Sequence, residues 1–329
     1  MRQKIPKPLL ASILVGVFNV LGVDAAPPSN YYSSVDLSSA SSLRSSLHQI
    51  IDDHTRIPYT SSKRDTWDVI NEADQDPLNS ANVLTLYRNA SYPKASGGND
   101  NYNREHSWPK SFGFPDDGSD NYPYTDLHHL FAADSSYNSS RSNLPFGQCD
   151  ASCLEKKTNS YNGQGGTSGV YPGESNWRSG SGATGTWEVW EDRKGDVARA
   201  MFYMAVRYEG GSHSVTGVAE PDLELTDELE LIANSNTGSN MNTGYMGRLS
   251  VLLDWHKADP VDAVEQRRND VVAEAQGNRN PFVDHPEYVD FVFGDGLSGG
   301  SNSNEQEIAS PEETFQRLLE TVQKFRGRQ

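Results

Sequence analysis

Glu105 and His106 stand side by side in the run Tyr102-Asn103-Arg104-Glu105-His106-Ser107-Trp108-Pro109. A carboxylate next to a histidine can divide labour, the carboxylate holding a cation while the imidazole handles a proton. Phosphodiester hydrolysis asks for that division. A base must activate water, a cation must offset the charge on phosphorus and the leaving oxygen, and the attack must be in line. Histidine suits the base role because its ordinary pKa lies near neutrality. A hard cation such as Mg2+ takes oxygen ligands and keeps several waters, so one or two protein ligands suffice. Glu105 offers a charged oxygen and Asn138 a neutral amide oxygen. On an extended strand neighbouring side chains point to opposite faces, so aiming both Glu105 and His106 at one phosphate needs a bend, which Trp108-Pro109 is placed to enforce. Alone, a Glu-His pair reads as a surface ion pair. Its weight comes from the company of Asp126-Leu127-His128-His129-Leu130 and Tyr137-Asn138-Ser139-Ser140-Arg141-Ser142-Asn143.

Elements must position these residues. Leu43, Leu47, Ile50 and Ile51 recur at helical spacing and predict a short helix, and Thr66-Trp67-Asp68-Val69-Ile70 opens another. Val83-Leu84-Thr85-Leu86-Tyr87 reads as a strand, and Tyr102 to His106 as an extended segment. Residues 144–185, rich in Gly, Ser, Asn and Pro, predict a long loop walling a cleft. A helix starts at Asp196, burying Val197, Ala198, Ala200, Met201, Met204, Ala205 and Tyr208, with Gly210-Gly211 as its stop. Tyr245 to His256 predicts a further helix. Asp259-Pro260 reads as the cap of one from Val261 to Gln276, and Glu287 to Phe293 as a short one.

The ends differ from the middle. Arg2, Lys4 and Lys7 precede an apolar run from Leu9 to Val23 and the small residues Val23-Asp24-Ala25. That is the pattern of a secretory signal peptide over 1–26, cut near Ala25 or Ala26. The run is shorter than the roughly 20 apolar residues a span requires and is broken by Asn19. Expected order is therefore leader 1–26, domain 27–294, flexible linker 295–309, and an amphipathic helix 310–329 carrying Phe315, Leu318, Leu319, Val322 and Phe325. Cys149 and Cys153 are the only cysteines. In an oxidising compartment they are expected to pair, pinning the turn after Pro145-Phe146-Gly147. The net charge of -17 argues against indiscriminate adhesion to nucleic acid, but leaves room for a local basic groove.

Taken in order, Asn103–Ser111, Asp126-Leu127-His128 and Asn138–Asn143 closely resemble the endonuclease I family of secreted nucleases, which carry the ββα-metal (His-Me) finger. Gly195–Met204 looks like that family's long central helix. Asp254-Trp255-His256, Asp259-Pro260, Glu265, Arg268-Asn269 and Gly277–Pro286 look like its C-terminal signature. The resemblance runs over roughly 40 to 294. It implies an α+β fold, a ββα-metal core in a mainly helical domain with long loops. It also implies His106 as general base and Glu105 and Asn138 as ligands of one cation, Mg2+ or else Ca2+ or Mn2+. The second strand would be Asp126 to Leu130 and the helix Ser135 to Arg141. Arg141 and Asn143 match family positions, and Asp126 and His128 are expected to orient the ligands. One departure stands out: some members place an arginine between the histidine and the second strand, and no Arg lies between His106 and His129 here. Lys110 or Arg141 would have to hold the phosphate instead.

Asn89-Ala90-Ser91 is a glycosylation sequon. Asn138-Ser139-Ser140 is another, expected to stay unmodified within the site. The expected activity is divalent-metal-dependent cutting of DNA and RNA with little sequence preference, because such a site grips phosphate rather than base edges. The protein should be secreted and monomeric, with no membrane span. The alternatives are a zinc hydrolase on His106, His128 and His129, or a secreted binding protein on a nuclease scaffold.

Overall fold

The computed structural model describes residues 27–294. The leader, the linker and the terminal helix expected from the sequence lie outside the described residues. Elements follow as α1 (Ala40–Ile51), α2 (Thr66–Ala73), β1 (Asn82–Leu84), β2 (Ser91–Pro93), β3 (Tyr102–His106), α3 (Tyr122–Thr125), β4 (Leu130–Asp134), α4 (Ser135–Arg141), β5 (Leu154–Lys156), β6 (Asn176–Ser179), β7 (Thr186–Glu188), α5 (Lys194–Arg207), β8 (Asp222–Leu225), α6 (Leu229–Ser235), β9 (Thr243–Met246), α7 (Leu249–Ala258), α8 (Ala263–Gln276), α9 (Pro281–Asp284) and α10 (Tyr288–Phe293). The class is α+β, as expected. The sheets are small and separate: β1–β2, β3–β4, β5–β6–β7 and a parallel pair β8–β9. No helix among the described residues is long and apolar enough to cross a membrane.

α5 is the axis of the core. Every residue from Gly195 to Arg207 is buried, and α7 packs along it. A helix apolar on one face alone would not be enclosed all round. This one is enclosed because its two arginines are fully paired. Arg199 grips Glu265 with Nε–Oε1 2.7 Å and Nη2–Oε2 2.6 Å, and Arg207 grips Glu220 with two 2.8 Å bonds. At its start, a side chain on Gly195 would meet the Asp259 carbonyl at 2.0 Å, so only glycine lets α5 approach the end of α7. Asp259 accordingly accepts the Gly195 N–H at 2.8 Å and is not the cap of α8; Asp262 takes that role through the Glu265 N–H.

A second nexus sits on Asp126. Its Oδ2 accepts the hydroxyls of Tyr203 and Tyr208, both at 2.9 Å, and its Oδ1 accepts the His128 N–H and the Gln276 side chain. His54, His128 and His129 are buried around it. Burial above all pushes these rings down, His54 to about 3 and His128 and His129 to about 4, so they are neutral in the folded protein. Each would regain its ordinary pKa of 6.5 on unfolding. Between those values the unfolded chain binds more protons, so stability is present above 6.5 and is lost as pH falls toward 4. At pH 5 the loss is about 2 kcal/mol per ring. Melting temperature should be level near neutrality and drop steeply below pH 6.5; a flat profile down to pH 5 would contradict the neutral-ring assignment.

Three expectations are corrected. The strand predicted over 83–87 is only β1, since Thr85 to Ala90 forms a turn closed by Asn89 N–H to Thr85 O at 3.1 Å. The strand predicted over 126–130 begins where that range ends, because Asp126 to His129 make a side-chain-closed turn. The helix predicted from Tyr245 starts at Leu249, because Thr243–Met246 pairs with Asp222–Leu225 as β9. The long loop over 144–185 also contributes β5 and β6.

Candidate active site

β3, β4 and α4 form one continuous unit. β3 and β4 pair antiparallel with Tyr102 opposite Asp134 and His106 opposite Leu130. Asp134 ends β4 and caps α4 at once, its Oδ1 accepting the Ser136 and Tyr137 N–H groups. No loop separates strand from helix, so α4 leans on the ribbon with Asn138 facing β3. Asn138 Nδ2 donates to Asn103 Oδ1 at 2.7 Å and to the Arg104 carbonyl at 3.2 Å. Both bonds take the nitrogen, which turns the amide oxygen away from the ribbon.

The strand ends at His106, and the chain then bends. Trp108 is fully buried, with its indole N–H on the Phe112 carbonyl at 3.1 Å, and Phe112 N–H closes a turn on Pro109 at 2.9 Å. That turn carries Lys110 and Ser111 back beside Glu105 and His106. The result is a cleft of about 300 Å³ lined by Glu105, His106, Asn138 and Lys110, with Tyr59, Arg104, Arg141 and Asn143 around them.

Each side chain is fixed by its neighbours. Glu105 Oε1 accepts the Tyr87 hydroxyl at 2.7 Å and lies 3.3 Å from Arg141 Nη1. Burial pushes its carboxyl up to about 6, against the pull of Arg141 and Tyr87. His106 Nε2 donates to the Tyr124 carbonyl at 2.9 Å, which leaves Nδ1 as the ring's acceptor. Burial first, then His129, Lys110 and Arg104, hold this imidazole well below its ordinary pKa, so it is neutral at neutral pH. The rings of Tyr59 and Tyr124 pack on it at 6.0 and 4.8 Å.

The cations divide clearly. Arg141 is buried and spends its donors on the His106, Ser107 and Ser142 carbonyls, with its guanidinium 4.5 Å from the Phe146 ring. It braces the bend and forms part of the cleft wall, with its Nε left without a hydrogen-bond partner among the described residues. Arg104 lies 3.3 Å over the Tyr59 ring and donates to Thr66 and Tyr59. Lys110 is exposed, and its Nζ rests on the Tyr124 hydroxyl at 3.0 Å.

Asn143 also reaches the cleft, bonded to Ser111 and Asn236. Asp126 and His128 do not. They lie in the core, where His128 Nε2 meets the Asn278 carbonyl at 3.0 Å, and they bear on the site only by anchoring the turn that leads into β4. His129 turns its Nε2 onto the Pro123 carbonyl at 2.7 Å. His106, His128 and His129 thus each face a different carbonyl. Among the described residues no three His, Cys, Asp or Glu side chains gather as a cation cage, and the zinc alternative finds no support.

Two hard oxygens on separate segments, the Glu105 carboxylate and the Asn138 amide, fit a small divalent cation that keeps most of its waters. Tyr87, Tyr124, Tyr59 and Arg104 escaped the sequence reading. Arg104 lies within the motif and could have been found there, whereas the three tyrosines come from other segments, Tyr124 from α3 and Tyr59 and Tyr87 from irregular chain, with no local signal.

The disulfide Cys149–Cys153 forms as expected. The expected glycosylation site at Asn89 is buried in the fold. The residue is 1% exposed and its amide nitrogen donates to the Asn159, Tyr161 and Gln164 carbonyls.

A family model described as Endonuclease I matches residues 39–287. An extracellular ribonuclease of Bacillus amyloliquefaciens is 40% identical over 272 residues, covering 82% of this chain and 80% of that protein. An extracellular ribonuclease of Bacillus subtilis (strain 168) is 40% identical over 279 residues, covering 83% and 82%.

Proposed function

The chain belongs to the endonuclease I family, and from that premise we propose that it is a secreted nuclease hydrolysing RNA and DNA with little sequence preference, dependent on one divalent cation held by Glu105 and Asn138. β3, β4 and α4 act as the metal finger that the resemblance implies. The observation that carries this reading is the cleft itself, where a carboxylate, an oriented amide oxygen, an imidazole with a free Nδ1 and an uncommitted ammonium converge. The names of the Bacillus relatives favour RNA as a substrate, and the phosphate-centred site extends the reading to DNA.

The cation, when bound, offsets the charge that develops on the phosphoryl oxygens and the leaving oxygen. The rest is done by the chain. His106 takes a proton from the attacking water at Nδ1, its ring held by the Tyr124 carbonyl so that it cannot swing away. Lys110, paired with no carboxylate among the described residues, holds a non-bridging phosphate oxygen, while the charge of Arg141 is set against Glu105. Tyr87 and Arg141 fix the Glu105 carboxylate from behind. Mg2+ is the expected ion, with Mn2+ or Ca2+ as substitutes. The protein works as a monomer with no obligate partner.

The test is cheap. Purified protein should degrade yeast RNA and plasmid DNA, lose that activity in EDTA, and regain it on adding excess Mg2+ or Mn2+. Activity that survives EDTA would remove the cation from the mechanism.

A further inference from the structure

We propose that the flank of α4 facing the β5–β6 ribbon is a second contact site for the nucleic-acid backbone. It would take a phosphate of the bound strand beyond the one that is cut; the inference rests on the nuclease reading above. α4 carries Asn138 on its cleft side, and one turn around the helix it presents Tyr137 and Ser140 to β5 and β6. Two cations stand there. Lys156 Nζ lies 5.3 Å from the centre of the Tyr137 ring, and Arg178 Nη1 lies 3.4 Å from Ser140 Oγ.

The pairing explains why they stand together. Leu154 is opposite Arg178 and Lys156 opposite Asn176, so both cations share one face of the ribbon. The same face is tied to the site, because Asn176 Nδ2 donates to the carbonyl of Tyr87, whose hydroxyl holds Glu105. Glu155 alternates to the other face, where Ser175 Oγ, at 2.8 Å, Gly169 N–H and Thr167 occupy it. Neither Lys156 nor Arg178 has an ion-pair partner among the described residues; Arg178 has only long bonds to Ser140 and, at 3.3 Å, to the Gly180 carbonyl. Arg88, 5.6 Å from the Tyr137 ring, is different. Asp134 neutralises it at 2.7 Å, and it is not counted.

The net charge is -17, and the buried arginines of the core are consumed by carboxylates. A polyanion is repelled by such a protein unless uncommitted cations are concentrated where it must lie. Lys110 is one such cation, on the cleft wall. Lys156 and Arg178 are two more, half-buried along the helix that carries Asn138. Tyr137, between Lys156 and Arg88, gives the strand an aromatic edge at the same place.

The test compares wild type with the pair Lys156→Gln and Arg178→Gln, with Lys257→Gln on α7 as a control. Binding of a labelled single-stranded oligonucleotide of about twenty nucleotides is followed by anisotropy in EDTA across a salt series. The slope of log Kd against log salt should fall by about 1.4 in the double variant, about 0.7 per lost phosphate contact. KM for the same oligonucleotide with Mg2+ should rise on the order of tenfold, while turnover of bis(p-nitrophenyl) phosphate, too small to reach α4's outer flank, stays unchanged. Glutamate at both positions should exceed these effects. A wild-type slope and KM in a double variant that melts like wild type would overturn the contact site. Loss of small-ester turnover would also overturn it, by showing damage to the cleft. If wild type cut neither substrate but the slopes differed, the nuclease reading would fall and the contact site would stand.

Discussion

His106→Ala should lower turnover on RNA and DNA by about 10²–10⁴-fold, the range a positioned general base supplies. The expectation follows from how the ring is mounted. Nε2 is committed to the Tyr124 carbonyl, so Nδ1 is the only atom free to accept a proton, and Tyr59 and Tyr124 leave the ring no other orientation. Burial with His129, Lys110 and Arg104 nearby keeps the imidazole neutral and therefore able to act as a base. Alanine removes the base without touching the two oxygens expected to hold the cation or the ammonium of Lys110. Oligonucleotide affinity and far-UV circular dichroism should stay close to wild type, with stability lowered by about 2 kcal/mol through the small cavity left. Turnover within a few-fold of wild type would remove His106 from the mechanism.

Glu105→Gln should have the second largest effect, and a different signature. Glutamine keeps the shape and can still accept the Tyr87 hydroxyl, so the change isolates the charge. Two consequences follow. The Mg2+ concentration giving half-maximal activity should rise at least tenfold, with maximal turnover reduced by about 10²-fold, as expected when the only anionic oxygen is taken from a cation that stabilises the transition state. Arg141 also loses its carboxylate partner while remaining buried. Breaking such a pair costs about 3–5 kcal/mol. The carbonyls of His106, Ser107 and Ser142 still receive the guanidinium, so the lower end of that range is expected. The measurement is an activity titration with Mg2+ beside a thermal melt. An unchanged Mg2+ midpoint would show that the cation sits elsewhere.

The helices and the catalytic motif were legible because their signals are local. α1, α2, α5 and α10 announce themselves through their apolar residues, α8 through the proline near its start and the glycine that ends it, and Tyr102 to His106 through its residue types. What failed was set by partners far along the chain. β9 reads as helix because Tyr245 and Met246 continue the helical pattern of α7; only pairing with β8 makes it a strand, and there a side chain on Gly244 would meet the Phe112 carbonyl at 2.8 Å. The turn at Thr85 to Ala90 hides in a β-branched run, yet it delivers Tyr87 to Glu105. Asp126 and His128 stand in a motif where they are expected to orient the ligands, and only their burial and their bonds to Tyr203, Tyr208, Gln276 and Asn278 reveal that they hold the core. Asn89 fits a sequon perfectly, and only its three carbonyl partners show that it is a structural amide.

The clasp between Asn138 and the ribbon has a consequence for which chemistries this scaffold can reach. Aspartate would seem the better choice opposite a dication, since it adds a full negative charge. Here the inner atom of the side chain must be a donor, because it faces Asn103 Oδ1 at 2.7 Å and a main-chain oxygen at 3.2 Å. A carboxylate would set oxygen against the Arg104 carbonyl, a main-chain acceptor that cannot turn away. For the cation proposed above, tighter capture through a second carboxylate is thus disfavoured by the backbone, which would leave the ion more loosely held and exchangeable.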